Sequence, residues 1–186
     1  MSIINTPDES DDGVADLYGP ELEDLGYVPS HTRKMAANPE AFRAFQQLMR
    51  TIVSQLGERR FELATLAAAD AVGSQSCRHA HGRKSLKLFE EEQLERIVRD
   101  YHDASLSEAD VALMDFATKL SKDSSSMTDA DSLRLRKAGF TDREIVDIAL
   151  AASARNYLSR ALQALAVEVD VPPGLSLTLK DALTSK

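Results

Sequence analysis

Cysteine is nearly absent from this chain: Cys77 is the single one among 186 residues. That excludes an intramolecular disulfide, and equally a zinc site built from thiolates alone. Whatever Cys77 does, it does alone within the chain or with a partner molecule. Long apolar runs are missing too. The greasiest stretch, residues 145–167, is broken by Asp147, Arg155, Asn156 and Arg160, and falls short of the uninterrupted apolar length that crosses a bilayer. The first residues, Met1-Ser-Ile-Ile-Asn-Thr-Pro-Asp, have neither the basic flank nor the apolar centre of a secretory signal. Basic charge is in deficit: 30 acidic residues against 22 basic ones give a net charge of -8, which disfavours a nucleic-acid or anionic-membrane partner. Nowhere does a strand-like alternation of apolar and polar residues appear. The expectation is a cytoplasmic, all-α protein with no nucleic-acid or membrane partner.

What is present reads as a series of helices. Residues 1–18 are rich in Asp, Ser, Pro and Gly and are expected to form a loosely ordered arm. One helical domain is expected over 19–171, and a short tail over 172–186, with Pro172-Pro173-Gly174 ending the regular structure. Within the domain, Leu25-Gly-Tyr-Val-Pro-Ser-His reads as a loop and leaves the place of His31 open. Asn38-Pro39-Glu40 is a helix start, with Asn38 as N-cap and Pro39 in the first turn. Phe42, Phe45, Leu48, Met49 and Ile52 then follow at spacings of three and four on one face. A second helix is predicted over about 58–72, ended by Gly73-Ser74, and a third begins at Ser74 or Ser76. Three later starts place a hydroxyl residue three before an acid: Ser107 with Asp110, Thr128 with Asp131, and Thr141 with Glu144. The Thr141 helix is expected to be the longest and to form the core, with Ile145, Ile148, Ala152, Tyr157 and Leu158 among its apolar positions.

The chemistry-bearing constellation is Glu62, then Ser74-x-x-Cys77-x-x-x-His81. Cys77 and His81 are four apart and share a helix face. With Ser74 as the N-cap, Cys77 lies in the first turn, where free backbone N–H groups and the helix dipole favour the thiolate, the reactive form of cysteine. Glu62 can fold back over the same pocket as an acid or base. An inert, buried cysteine beside an ordinary histidine fits the spacing equally well. His79 points away from Cys77 on ideal geometry and is assigned to the surface or an interface. The Arg78–Lys87 and Arg134–Lys137 clusters are read as solvated helix faces. Asn156 and Arg160, polar on an apolar helix, are expected to hold a neighbouring helix or subunit, and Tyr101-His102 to be structural.

The run from Glu62 through Ser74, Cys77 and His81 resembles the signature of the alkylhydroperoxidase D / carboxymuconolactone decarboxylase superfamily: a Glu, a dozen residues later a Cys-x-x-Cys, and four later a His. Leu25-Gly-Tyr-Val-Pro-Ser, Asn38-Pro-Glu-Ala-Phe, Ala138-Gly-Phe-Thr-Asp-Arg-Glu-Ile and Asn156-Tyr-Leu-Ser-Arg160-Ala are similar to its peroxidase-related branch. The resemblance implies an all-helical bundle assembled as a homo-oligomer, and an antioxidant peroxidase of the alkylhydroperoxidase type. Glu62 matches the proton-relay Glu, His81 the relay His, and Cys77 the second cysteine, which attacks peroxide in the hydroperoxidase members. The family's first cysteine falls on Ser74, and a hydroxyl cannot form the disulfide that resolves a sulfenic acid. The expectation is a single reactive Cys77, with Ser74 capping the helix and hydrogen-bonding the pocket. A hydroperoxide is the expected substrate and an external thiol or redox protein the expected reductant, with no metal or bound cofactor required. Two alternatives stand beside it: a non-catalytic or degenerate oligomeric protein of the same fold, and a decarboxylase-like acid–base enzyme acting on a lactone.

Overall fold

The computed structural model describes residues 4–11 and 13–185. Residues 1–3 and 12 of the expected arm, and residue 186 of the expected tail, lie outside them. The described residues contain ten α-helices and no strand: α1 (Ala15–Leu25), α2 (Ser30–Met35), α3 (Pro39–Leu56), α4 (Glu58–Ala71), α5 (Gln75–Ser85), α6 (Glu91–Asp100), α7 (Glu108–Asp123), α8 (Asp129–Lys137), α9 (Asp142–Ala164) and α10 (Leu177–Thr184). None is long and apolar enough to cross a membrane. Helix starts follow the capping chemistry of the sequence. Asn38 accepts from the Ala41 backbone N–H, Ser107 from that of Asp110, and Thr141 closes a full capping box with Glu144.

α4 is the central helix because every residue from Phe61 to Ala69 is buried. Its small side chains let α5, α7 and α9 pack closely around it. The main core joins Leu63, Leu66, Leu94, Ile97, Leu113, Met114 and Ile148 among others. A second cluster gathers Val14, Leu17, Tyr18, Phe42, Phe45, Leu158 and Leu162, and Cys77 belongs to it. The thiol therefore sits in a seam between α1, α3, α5 and α9.

Several expectations are corrected. The segment read as an arm already carries core residues, since Val14, Leu17 and Tyr18 are buried and α1 begins at Ala15. Regular structure does not end at Pro172–Gly174. Ser176 caps α10 by accepting from the Leu179 N–H, and Leu179, Ala182 and Leu183 are buried against α5 and α6. Tyr157 is exposed rather than in the core, although it stacks on Phe45 with ring centroids 5.7 Å apart. Leu48, placed on one face with Phe42, Phe45 and Ile52, is exposed while those three are buried. Arg78 is no solvated cation. It is buried, donates to the Ala182 carbonyl at 2.9 Å and lies 3.4 Å from Asp70. His79 does point away from Cys77, but α10 covers that side, so it is buried with its Nε2 3.1 Å from the Thr184 hydroxyl.

Candidate functional site

The site is built by one reversal of the chain. Gly73 takes φ +65°, a left-handed conformation suited to glycine, and turns α5 back along α4. That reversal faces Glu62 on α4 with His81 on α5: Glu62 Oε2 and His81 Nδ1 are 2.7 Å apart, and both side chains are buried. An ionised carboxylate only accepts, so Nδ1 carries the proton and the free Nε2 is the acceptor. Burial pushes His81 down to about 4, assisted by the positive Arg155 and only partly opposed by Glu62. The ring is neutral at physiological pH. Burial opposes ionisation of Glu62, but His81, Lys84 and Arg155 outweigh it, and its carboxyl stays below the usual range.

Cys77 is the third residue of α5, in the first turn, and is only 3% exposed. Its hydrogen bonds come from α9 rather than from His81. Ser159 Oγ donates to Sγ at 3.2 Å, and Arg155 Nη1 lies 3.6 Å from it. Ser74 occupies the N-cap position, yet its side chain does not cap; instead its hydroxyl helps to lower the Cys77 thiol. Burial raises the thiol, and the Arg155 charge with the Ser159 and Ser74 hydroxyls more than offsets this, leaving it below its ordinary value.

The sulfur opens onto a cavity of about 570 Å³, whose lining includes Cys77, Glu62, His81, Arg155 and His31. Phe42, Phe45, Met49, Phe61 and Leu158 form its apolar wall. Cys77 and His81 thus face one space without bonding each other. His31, whose position the sequence left open, lines the same cavity from α2 and is pushed down to about 4, chiefly by burial.

Sequence reasoning missed Arg155, Ser159 and His31. A signal for the first two existed: Arg155 and Ser159 are polar, four apart and fully within an apolar helix, which demands partners. The neighbouring pair Asn156 and Arg160 bears the same spacing but turns to α7, where Asn156 Nδ2 donates to Ser121 Oγ at 3.1 Å and Arg160 reaches the Ser121 carbonyl at 3.5 Å. For Tyr101-His102 the structural reading matches the geometry, because both rings bond Asp115 Oδ1 at 2.9 Å.

A helical bundle of this architecture, with its cysteine helix folded back on a central Glu-bearing helix, defines an alkylhydroperoxidase D-like protein. Solved structures agree. A peroxidase-related protein from a Silicibacter species is 26% identical, with a TM-score of 0.78 over 91% of this chain and 92% of that one. A peroxidase-related protein from Ralstonia eutropha, described as an alkylhydroperoxidase AhpD core, is 24% identical, with a TM-score of 0.79 over the same shares. The debrominase Bmp8 in its apo form is 16% identical, with a TM-score of 0.75 over 98% of this chain and 97% of that one, a likeness of fold alone. No protein-family profile and no curated protein matches the chain. The chain belongs to the alkylhydroperoxidase D-like superfamily.

Proposed function

We propose that this protein reduces organic hydroperoxides with Cys77 as its single nucleophile. The observation that carries this reading is the convergence of Arg155, Ser159 and Ser74 on a sulfur that lines a cavity large enough for an organic substrate. Donors aimed at a sulfur favour its anion, and an inert packed thiol needs none of them.

In this mechanism the Cys77 thiolate attacks the terminal peroxide oxygen. The O–O bond breaks, the sulfur becomes a sulfenic acid, and the departing alkoxide leaves as an alcohol after taking up a proton. The neutral His81, oriented by Glu62, receives the thiol proton at Nε2 and returns it to the alkoxide. Arg155 holds negative charge on the sulfur before attack and the developing charge during it. Ser74 cannot resolve the product. An external thiol therefore condenses with the sulfenic acid, releasing water and leaving a mixed disulfide, and a second thiol frees Cys77 as the external disulfide forms.

The test is to trap the Cys77 sulfenic acid by mass spectrometry after brief exposure to cumene hydroperoxide. Oxidation should be faster than that of a free thiol at the same pH, and slower by about 10²-fold or more in His81→Ala and Glu62→Ala, the usual scale of lost acid–base catalysis. Oxidation at the free-thiol rate, unchanged by either substitution, would leave a degenerate site in a retained fold. Because one fold hosts many chemistries, lactone turnover without sulfur oxidation would point to the decarboxylase-like reading.

A further inference from the structure

The basic cluster at the C-terminal end of α5 is left unused by the peroxide chemistry, yet Arg83, Lys84 and Lys87 all line the same cavity as Cys77. Arg83 is already engaged, donating to Asp24 at 2.9 Å. Lys84 and Lys87 are exposed and take part in no ion pair among the described residues. The acidic lining is largely committed elsewhere. Asp170 accepts from the backbone and hydroxyl of Ser30, Glu21 from Thr32, and Glu62 from His81, which leaves Glu58 without a partner.

Position on the helix makes Lys84 the informative residue. Cys77, His81 and Lys84 stand at i, i+4 and i+7 of α5, so on a 3.6-residue helix all three fall in one stripe about 60° wide. The stripe runs along the cavity. Seven residues at about 1.5 Å each put roughly 10 Å of axis between the thiol and the lysine. The Lys84 charge is felt at His31, Glu62 and His81 alike. The same cavity offers an apolar wall of Phe42, Phe45, Met49, Phe61 and Leu158, of which Phe42, Phe45 and Leu158 cluster with Cys77.

We infer that the cavity selects amphipathic carboxylates, with the carboxylate on Lys84, an apolar chain along the α3 and α9 wall, and the reacting group some 10 Å away at Cys77. Resting on the peroxide-reducing reading for the reaction itself, this names the substrate class as hydroperoxides of carboxylate-bearing apolar chains. An anion that is held only at the mouth leaves the chain free to reach the sulfur, while the neutral alcohol of the same length loses that anchor.

Decanoate and decanol are suitable probes, because they share an apolar body and neither reacts with a thiol. Binding is measured by calorimetry, and occupancy by slowed alkylation of Cys77. Decanoate should protect Cys77 and bind about tenfold more tightly than decanol, as a partly desolvated charge pair allows. The advantage should shrink with added salt and vanish in Lys84→Glu and Lys84→Gln, substitutions at an exposed position that leave the core untouched. Equal binding of acid and alcohol, or an acid preference that survives both substitutions, overturns the inference. Sulfenic-acid trapping is scored separately. Lys84-dependent decanoate binding in a protein indifferent to peroxide keeps the anion site and sinks the peroxide reading; rapid oxidation with no acid preference does the reverse.

Discussion

Replacing Arg155 with Met removes one charge from a buried site while keeping most of the side-chain volume, and its effect can be worked from the geometry. Nη1 lies 3.6 Å from the sulfur and the arginine is 4% exposed. Coulomb attraction at that separation is worth about 1 kcal/mol under water-like screening and about 5 kcal/mol at an effective dielectric of about 20. Both groups are buried, so the value belongs nearer the upper end than the lower. Each ~1.4 kcal/mol is a tenfold change in the ratio of thiolate to thiol. Arg155→Met should therefore lower the thiolate fraction at least about tenfold wherever the wild-type thiol is partly ionised. The assay is the pH profile of iodoacetamide alkylation followed on intact protein, whose midpoint should move to higher pH. Ser159→Ala removes a hydroxyl donor to an anion, worth about 1.5–3 kcal/mol, and should move the midpoint the same way. The two effects will not sum, because both donors act on one sulfur. A midpoint unchanged in Arg155→Met, with the fold intact by circular dichroism, refutes the reasoning and transfers the thiolate's stabilisation to the α5 N-terminus.

Two further predictions concern stability. A Cβ added at Gly82 would lie 2.6 Å from Leu183 Cδ1. Gly82→Ala should thus destabilise by up to about 2 kcal/mol, overpacking of roughly 1–3 kcal/mol set against a helical gain of about 1 kcal/mol. Urea titration reads this, and a more stable variant would mean that α10 yields easily. The second prediction is an acid transition. His31 and His81 both titrate near 4 in the fold against 6.5 as a free side chain. Their folded values are depressed, so their contribution is complete above 6.5 and is lost as pH falls from 6.5 through 4, on the order of 3 kcal/mol at most for each. Urea midpoints should fall over that window, and the slope should flatten in His31→Asn; an equally steep slope in that variant means the ring is not held neutral by the fold.

The parts of the fold that were legible in sequence are those written in local chemistry. Caps at Asn38, Ser107 and Thr141 depend on groups three residues away, and each appears where its spacing predicts. The facing of Glu62 and His81 needed only a tight turn at Gly73. What was illegible depends on segments distant in sequence. Nothing local says that α10 returns to cover His79 and Arg78, although Leu179, Ala182 and Leu183 already show helical spacing. Likewise, the choice between Arg155 and Asn156 as the inward-facing residue is a matter of rotation about α9, which is fixed by packing on α4 and α7. Ser74 stands where the cap was expected, but its side chain makes no capping hydrogen bond and acts on the Cys77 thiol instead.

The tie between Arg78 and α10 has a consequence for handling the molecule. Arg78 adjoins Cys77 in the chain, and its guanidinium is held by the Ala182 carbonyl at 2.9 Å and the Ser185 carbonyl at 3.3 Å. Pro172 lines the cavity onto which Cys77 opens, but a protease that cuts after Pro173 leaves that lining in place and frees the segment that supplies those carbonyls. A buried cation that loses partners is costly; Asp70 at 3.4 Å and the Val98 carbonyl at 3.5 Å remain, and any shift of Arg78 toward water carries α5 and the thiol with it. Thiol reactivity is thereby a remote gauge of C-terminal integrity: a preparation nicked near residue 173 should betray itself by a changed alkylation rate.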